Sequence, residues 1–200
     1  MPELHLTGDP DADALLSRDP NALVAGMVLD QQVTMEKAFG GPAVLAERLG
    51  GFDVATIATM DADAFREVCS RRPAIHRFPG SMAARLQELC RVLVADWGGD
   101  ASRLFAAAST GEELKSLVAG LPGFGEQKAA IFVALLGKQY GVTPDGWREA
   151  AGEFGPDGFR SVADVVDHES LLRVRATKKA VKAAARASDP PLPPQSSVVR

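Results

Sequence analysis

The chain has 200 residues, a net charge of −4, 46% hydrophobic residues and only 6% aromatics. That is enough apolar mass for one ordinary or two-lobed domain, and the abundance of Ala and Leu favours helices over sheets. The acidic sum argues against a nucleic-acid coat protein, and no apolar run reaches the length needed to cross a bilayer.

The N-terminus, MPELHLTGDPDADALL, lacks both the basic start and the apolar stretch of a secretion signal, so a cytoplasmic protein is expected. Cys69 and Cys90 fall in helical patterns and read as buried small hydrophobes; two cysteines cannot ligate an iron–sulfur cluster through four thiolates. His5, His76 and His168 are scattered and suggest no zinc site.

In chain order, residues 1–9 read as extended. Asp9 or Asp11 caps a short helix ending at Ser17, and Asp19 caps a second, with Pro20 at its first position. That second helix carries Leu23, Val24, Met27 and Val28, is apolar on overlapping faces, and ends at Gln31-Gln32. Gly40-Gly41-Pro42 is predicted to break the chain before a helix over Ala43–Leu49. Short helices follow at 52–58 and 62–70, and Ser81 is predicted to cap a long one reaching Trp97. The preceding loop holds His76, Arg77 and Phe78, a cation and an aromatic that could hold a phosphate and stack a base, or pack on the next helix. A helix over 101–107 is next, and Thr110 caps another. Beyond Tyr140 the chain is rich in Gly and Pro, with short helices expected at 147–154 and near Ser161 or Asp164. A last helix begins at Asp167 or Ser170 and ends near Ala187, and the proline-rich tail 188–200 is expected to be disordered. Residues 170–187 carry Arg173, Arg175, Lys178, Lys179, Lys182 and Arg186 with no acid, which is either a DNA-facing patch or a solvated helix. No strand alternation suggests a sheet.

The most informative run is EELKSLVAGLPGFGEQKAAIFVALLGKQY, residues 112–140. Leu114, Leu117 and Val118 repeat at helical spacing before the break Leu121-Pro122-Gly123-Phe124-Gly125, and Ala129, Ile131, Phe132 and Leu135 after it. Pro122 stops the first helix, and the two glycines allow a tight hairpin. The second helix starts near Glu126, so its free N–H groups face the hairpin and suit an anion. A phosphate could approach Gly123 and Gly125 closely, a grip that reads no sequence. An ordinary helical hairpin with glycine caps fits the spacing equally well.

LPGFGEQKA resembles the LPGxGxxxA helix-hairpin-helix signature of the endonuclease III-like DNA glycosylases. Val28-Leu29-Asp30-Gln31-Gln32-Val33-Thr34 is similar to that family's helix bearing a glutamine that wedges into the duplex. The resemblance implies an all-α, two-lobed fold without an iron–sulfur cluster, with one lobe of residues 1–27 plus 142–187 and the other of 28–141. It implies double-stranded DNA as partner, a monomer, and DNA contacts at Gly123, Phe124, Gly125, Gln127, Lys128 and Gln32. It also implies a monovalent cation held by hairpin carbonyls 121–126. The family's catalytic aspartate lies twenty residues past the second hairpin glycine, and here that position is Asp145. By residue type alone, Asp145 reads equally as the middle of a Pro-Asp-Gly surface turn.

Breaking an N-glycosidic bond builds positive charge on the sugar, which a nearby carboxylate stabilises while orienting water. The lyase branch of the family places a Schiff-base lysine two residues after the second hairpin glycine; here that residue is Gln127. The implied activity is therefore monofunctional hydrolysis of a damaged base flipped from duplex DNA. Trp147, Phe78 and His76 are candidates for the base pocket, and an electron-rich aromatic pocket would suit a cationic alkylated purine. The alternatives are a helix-hairpin-helix DNA-binding protein without the chemistry, or a helical protein–protein adaptor.

Overall fold

The computed structural model describes residues 3–187, and the tail expected to be disordered lies outside them. The described chain is a set of helices with one isolated backbone bridge and no strand. Helix α2, Pro20–Leu29, is the centre: every residue from Ala22 to Leu29 is buried, as expected of a helix apolar all round. Asp19 caps it by accepting from the N–H groups of Asn21 and Ala22, with Pro20 at the first turn, where a missing N–H costs nothing. Around α2 lie α1, Pro10–Arg18; α3, Met35–Leu49; α6, Pro79–Trp97; and α7, Ala101–Ala107. The Asn21 side chain ties the α6–α7 turn to the start of α2, donating to Gly99 O at 2.8 Å and accepting from Ala101 N at 2.8 Å.

Helices α4, Val54–Thr59, and α5, Ala62–Ser70, lie on α6, and each is capped by an aspartate, Asp53 and Asp61. The buried Gln87 of α6 donates to Ile57 O and Met60 O, satisfying the last carbonyls of α4. Helices α8, Gly111–Ala119, and α9, Glu126–Leu135, pair through residues 120–125, and a π-turn prolongs α9 over Leu136–Tyr140. Helix α10, Trp147–Ala150, lies on both, 3-10 turns follow at Gly152–Phe154 and Val162–Asp164, and α11 spans His168–Ala187. Cys69 and Cys90 are buried and unpaired, and burial pushes both thiols up to about 12.

Two sequence expectations are corrected. Gly40-Gly41-Pro42 does not break the chain: α3 begins at Met35 under a Thr34 cap and runs straight through it. The cause is tertiary. Helices α2 and α3 cross so closely that a Cβ on Gly41 would overlap Leu29 Cδ1, and one on Gly26 would lie 2.7 Å from the ring of Phe39. The glycine is thus a packing residue rather than a breaker, and burial on both sides outweighs the helix-interior penalty of Pro42. Helix α6 starts at Pro79 rather than after Ser81, and its N-cap position, Phe78, supplies no side-chain cap.

Because Gly26 faces both the ring and the Cα of Phe39, a branched side chain there must part α2 from α3. Gly26→Val is expected to cost about 1–3 kcal/mol, the usual toll of overpacking, seen as a lowered urea midpoint by circular dichroism.

Candidate nucleic-acid interface

The hairpin is built by local signals. Thr110 and Glu113 form a reciprocal capping box at the start of α8. The turn closes through Phe124 N donating to Leu121 O at 3.1 Å. Gly123 has φ +89°, and a Cβ there would lie 2.8 Å from Arg85 Cδ and 3.0 Å from Val28 Cγ1, so the fold itself demands glycine. Gly125 differs. Its φ of −140° suits any residue, and a Cβ there would meet nothing within 4 Å. No intramolecular reason requires glycine at 125; a strand approaching from outside would supply one.

The N–H groups of Gly125, Glu126, Gln127 and Lys128 donate to no acceptor among the described residues, and α9 has no side-chain cap. Gly125, Glu126 and Gln127 are exposed. The carboxylate of Glu126, an awkward neighbour for a phosphate, lies 3.6 Å from Lys115 Nζ. Phe124 turns inward, its ring centroid 5.6 Å from that of Phe132, so only its main chain faces out. Lys128 is also turned inward: Nζ donates to Met27 O at 3.0 Å and Val28 O at 3.3 Å, at the end of α2. Burial lowers its pKa, opposed by Asp30 and reinforced by Arg85.

The second part is the corner between α2 and α3. Gln32 is exposed, with φ +56°, a left-handed conformation that non-glycine residues rarely adopt; no hydrogen bond engages its side chain among the described residues. Its neighbour Gln31 is held from several sides: Nε2 donates to Val28 O at 2.8 Å, and Oε1 accepts from Arg85 at 3.0 Å. His76 is 2% exposed and braces the same corner. Phe78 N–H donates to its Nδ1 at 3.0 Å, so the ring proton sits on Nε2 and bonds Gln31 O at 2.8 Å. Phe78 itself is 43% exposed, with Arg77 over its ring.

Asp145 stands elsewhere. The chain turns at Pro144-Asp145-Gly146, closed by Trp147 N donating to Pro144 O at 3.1 Å. Asp145 O then accepts from Gly111 N at 2.8 Å, at the start of α8. The nine residues of α8 separate this point from the hairpin by about 13 Å. Asp145 is exposed and is held at the start of α8 by its main chain. The structure does not gather Trp147, Phe78 and His76 into one pocket: Trp147 packs on Gly137 and Gly111 beside Asp145, whereas His76 and Phe78 adjoin Gln31. A cavity of about 850 Å³ lies between the N-terminal segment and the start of α11, against Leu4, Leu6, Asp13, Glu36, His168 and Leu171. None of the candidate DNA-contact, base-pocket or catalytic residues read from the sequence lines it.

Asp30 stands at the C-cap of α2, the helix end that Lys128 of α9 also reaches. It is half-buried, and desolvation raises its carboxyl pKa, opposed by Lys178 of α11 and Lys128 of α9. Its position at the end of a wholly apolar helix, directly before Gln31-Gln32, was the available signal. The lysines were not foreseeable, because they lie about a hundred residues or more along the chain. Helix α11 reaches this place because Arg175, three residues before Lys178, pairs with Glu36 at the start of α3.

The raised pKa has a consequence for stability. A carboxyl that titrates higher folded than unfolded costs stability when ionised, and the cost vanishes once pH falls below the ordinary value of 3.8. Asp30→Asn should therefore melt above the parent protein at pH 7, with the gap closing towards pH 3.5, as scanning calorimetry across pH would read.

Comparison with curated proteins and with solved structures finds no match. A sequence model for the HhH-GPD superfamily base excision DNA repair proteins matches residues 25–193, from within α2 past the end of α11. With that match spanning most of the chain and the hairpin in place, this protein belongs to the HhH-GPD superfamily of base excision DNA repair proteins.

Proposed function

We propose that the protein is a monofunctional DNA glycosylase that removes a damaged base from duplex DNA. The observation that carries this reading is the pairing of an open Gly125, beside four unpartnered main-chain N–H groups, with a strained, exposed Gln32. The amides at the start of α9 hold a phosphate of the damaged strand without reading sequence. Gln32 enters the gap left by the extruded nucleotide and bonds the orphaned base, and the exposed Phe78 stacks beside it. The carbonyls of Pro122, Gly123 and Phe124 accept no hydrogen bond among the described residues. They are thus available to a monovalent cation, which would add positive charge beside the phosphate. Gln127 cannot form a Schiff base, so water is the nucleophile and the abasic product is left unnicked.

The hydrogen-bonded turn in which Asp145 sits favours a second reading, duplex binding without excision. A panel of duplexes carrying single lesions, alkylated purines included, separates the two: free base and an alkali-labile abasic site appear in the first case, and neither in the second. Under the glycosylase reading, Gln32→Ala should cut base release at least about tenfold, since the unfilled stack returns the nucleotide to the helix.

Gly125→Asp should weaken duplex affinity about tenfold or more, measured by fluorescence anisotropy, with an unchanged melting temperature because its Cβ faces open space. Gly123→Ala should do the reverse, lowering the melting temperature through Val28 and Arg85.

A further inference from the structure

Helix α11 rests on the body of the protein over its first half only. Ser170, Leu171 and Val174 are buried, and Arg175 pairs with Glu36 in the first turn of α3, four residues past Gln32. From Lys178 to Ala184 every residue is exposed, so the helix runs on for about 10 Å with no side against the protein. Such a stretch gains nothing from packing, which supplies most of a helix's stability. It stands on composition instead: Lys178, Lys179, Ala180, Lys182, Ala183 and Ala184 are all strong helix formers.

The charge on this stretch is one-sided. Glu169 is the one acid of α11, and Arg173 already holds it. Lys179 and Lys182 follow Arg175 by four and seven residues, so they continue its side of the helix one and two turns beyond Glu36. Neither makes an ion pair or a side-chain hydrogen bond among the described residues. Lys178 and Lys182, four apart, repel one another, as do Lys179 and Lys182, three apart, with no carboxylate between them. An extended polyanion laid along the helix would remove that repulsion. A lipid surface fits less well: a helix lying in a membrane needs bulky apolar side chains opposite its cations, and Val181 is the only one over 178–184.

Resting on duplex binding, which both readings above share, we propose that the free half of α11 is a second contact to DNA, with Lys179 and Lys182 against phosphates that flank the Gln32 corner. The hairpin amides hold a phosphate with little counterion release, and the two lysines supply the part of the grip that depends on salt. Because they touch only the backbone, they hold intact and damaged duplex alike. The arm thereby keeps the protein on DNA between sites and leaves recognition to Gln32.

The test does not depend on knowing the lesion. Binding to two labelled duplexes, one intact and one with a single tetrahydrofuran abasic analogue, is measured by fluorescence anisotropy over a series of salt concentrations. Lys179→Gln combined with Lys182→Gln should weaken binding to both duplexes by the same factor, about tenfold or more at low salt, and flatten the slope of log affinity against log salt by about two. Lys179→Arg combined with Lys182→Arg should keep the parent values. Both variants should melt with the parent, because the two side chains are exposed. Parent affinity and slope in the glutamine variant overturn the contact and leave duplex binding standing, and a loss confined to one of the two duplexes overturns it as well. If the glutamine variant keeps DNA but releases phosphatidylserine vesicles that the parent binds, the helix faces a membrane and the proposal falls. A parent protein that binds neither duplex overturns the contact and the functional reading together.

Discussion

Lys128 closes the end of α2, and the rest of the interface depends on that contact. A helix ends with four carbonyls that lack partners. Two of those in α2, Met27 O and Val28 O, receive the Lys128 ammonium from the first turn of α9. A cation in this partly buried position at a helix C-terminus contributes up to about 2 kcal/mol. The same junction packs Gly123 against Val28 and Arg85, and Arg85 in turn donates to Gln31. The hairpin and the Gln31-Gln32 corner, remote in sequence, are therefore fixed in one register by a lysine, an arginine and a glycine with no room for a side chain.

That junction also explains what could and could not be read from the sequence. Features set by neighbours were legible: the Asp19 cap with Pro20, the Thr110 box, the break at 120–125 and the restart at Glu126. Features set by distant partners were not. Gly40-Gly41-Pro42 has the local chemistry of a break, yet the approach of Leu29 turns it into a helix–helix contact. Lys128 has the composition of a phosphate ligand and serves as a cap. Asp145 has the family's spacing, and it also sits in the hydrogen-bonded turn that its Pro-Asp-Gly sequence suggests. A π-turn to Tyr140, a left-handed Gly141 and the docking of Trp147 on Gly137 keep the chain at the far end of α8.

Strain at Gln32 is the complementary observation. A left-handed non-glycine residue costs about 1–2 kcal/mol and persists only where its surroundings hold it. Here they do so through its neighbour: His76, locked in one tautomer by Phe78 N–H, and Arg85 both fix Gln31, and the corner turns Gln32 outward. Among the described residues, none hydrogen-bonds the side chain thus presented. The cost is comprehensible if the amide is needed in a duplex, where the bonds it makes are available only after a nucleotide has left the stack.

Charge completes the account. An acidic protein can bind DNA if its contacts are few and well placed, and the last helix shows how few are free. Arg175 is committed to Glu36, Arg173 to Glu169 and the ring of Phe159, and Lys178 faces Asp30, while Lys179 and Lys182 remain exposed. The hairpin adds main-chain amides rather than cations. Each phosphate neutralised by Lys or Arg releases counterions and strengthens binding to any DNA, whereas amides at a helix start add less of this indiscriminate term. A grip built mainly on amides would therefore hold intact duplex weakly.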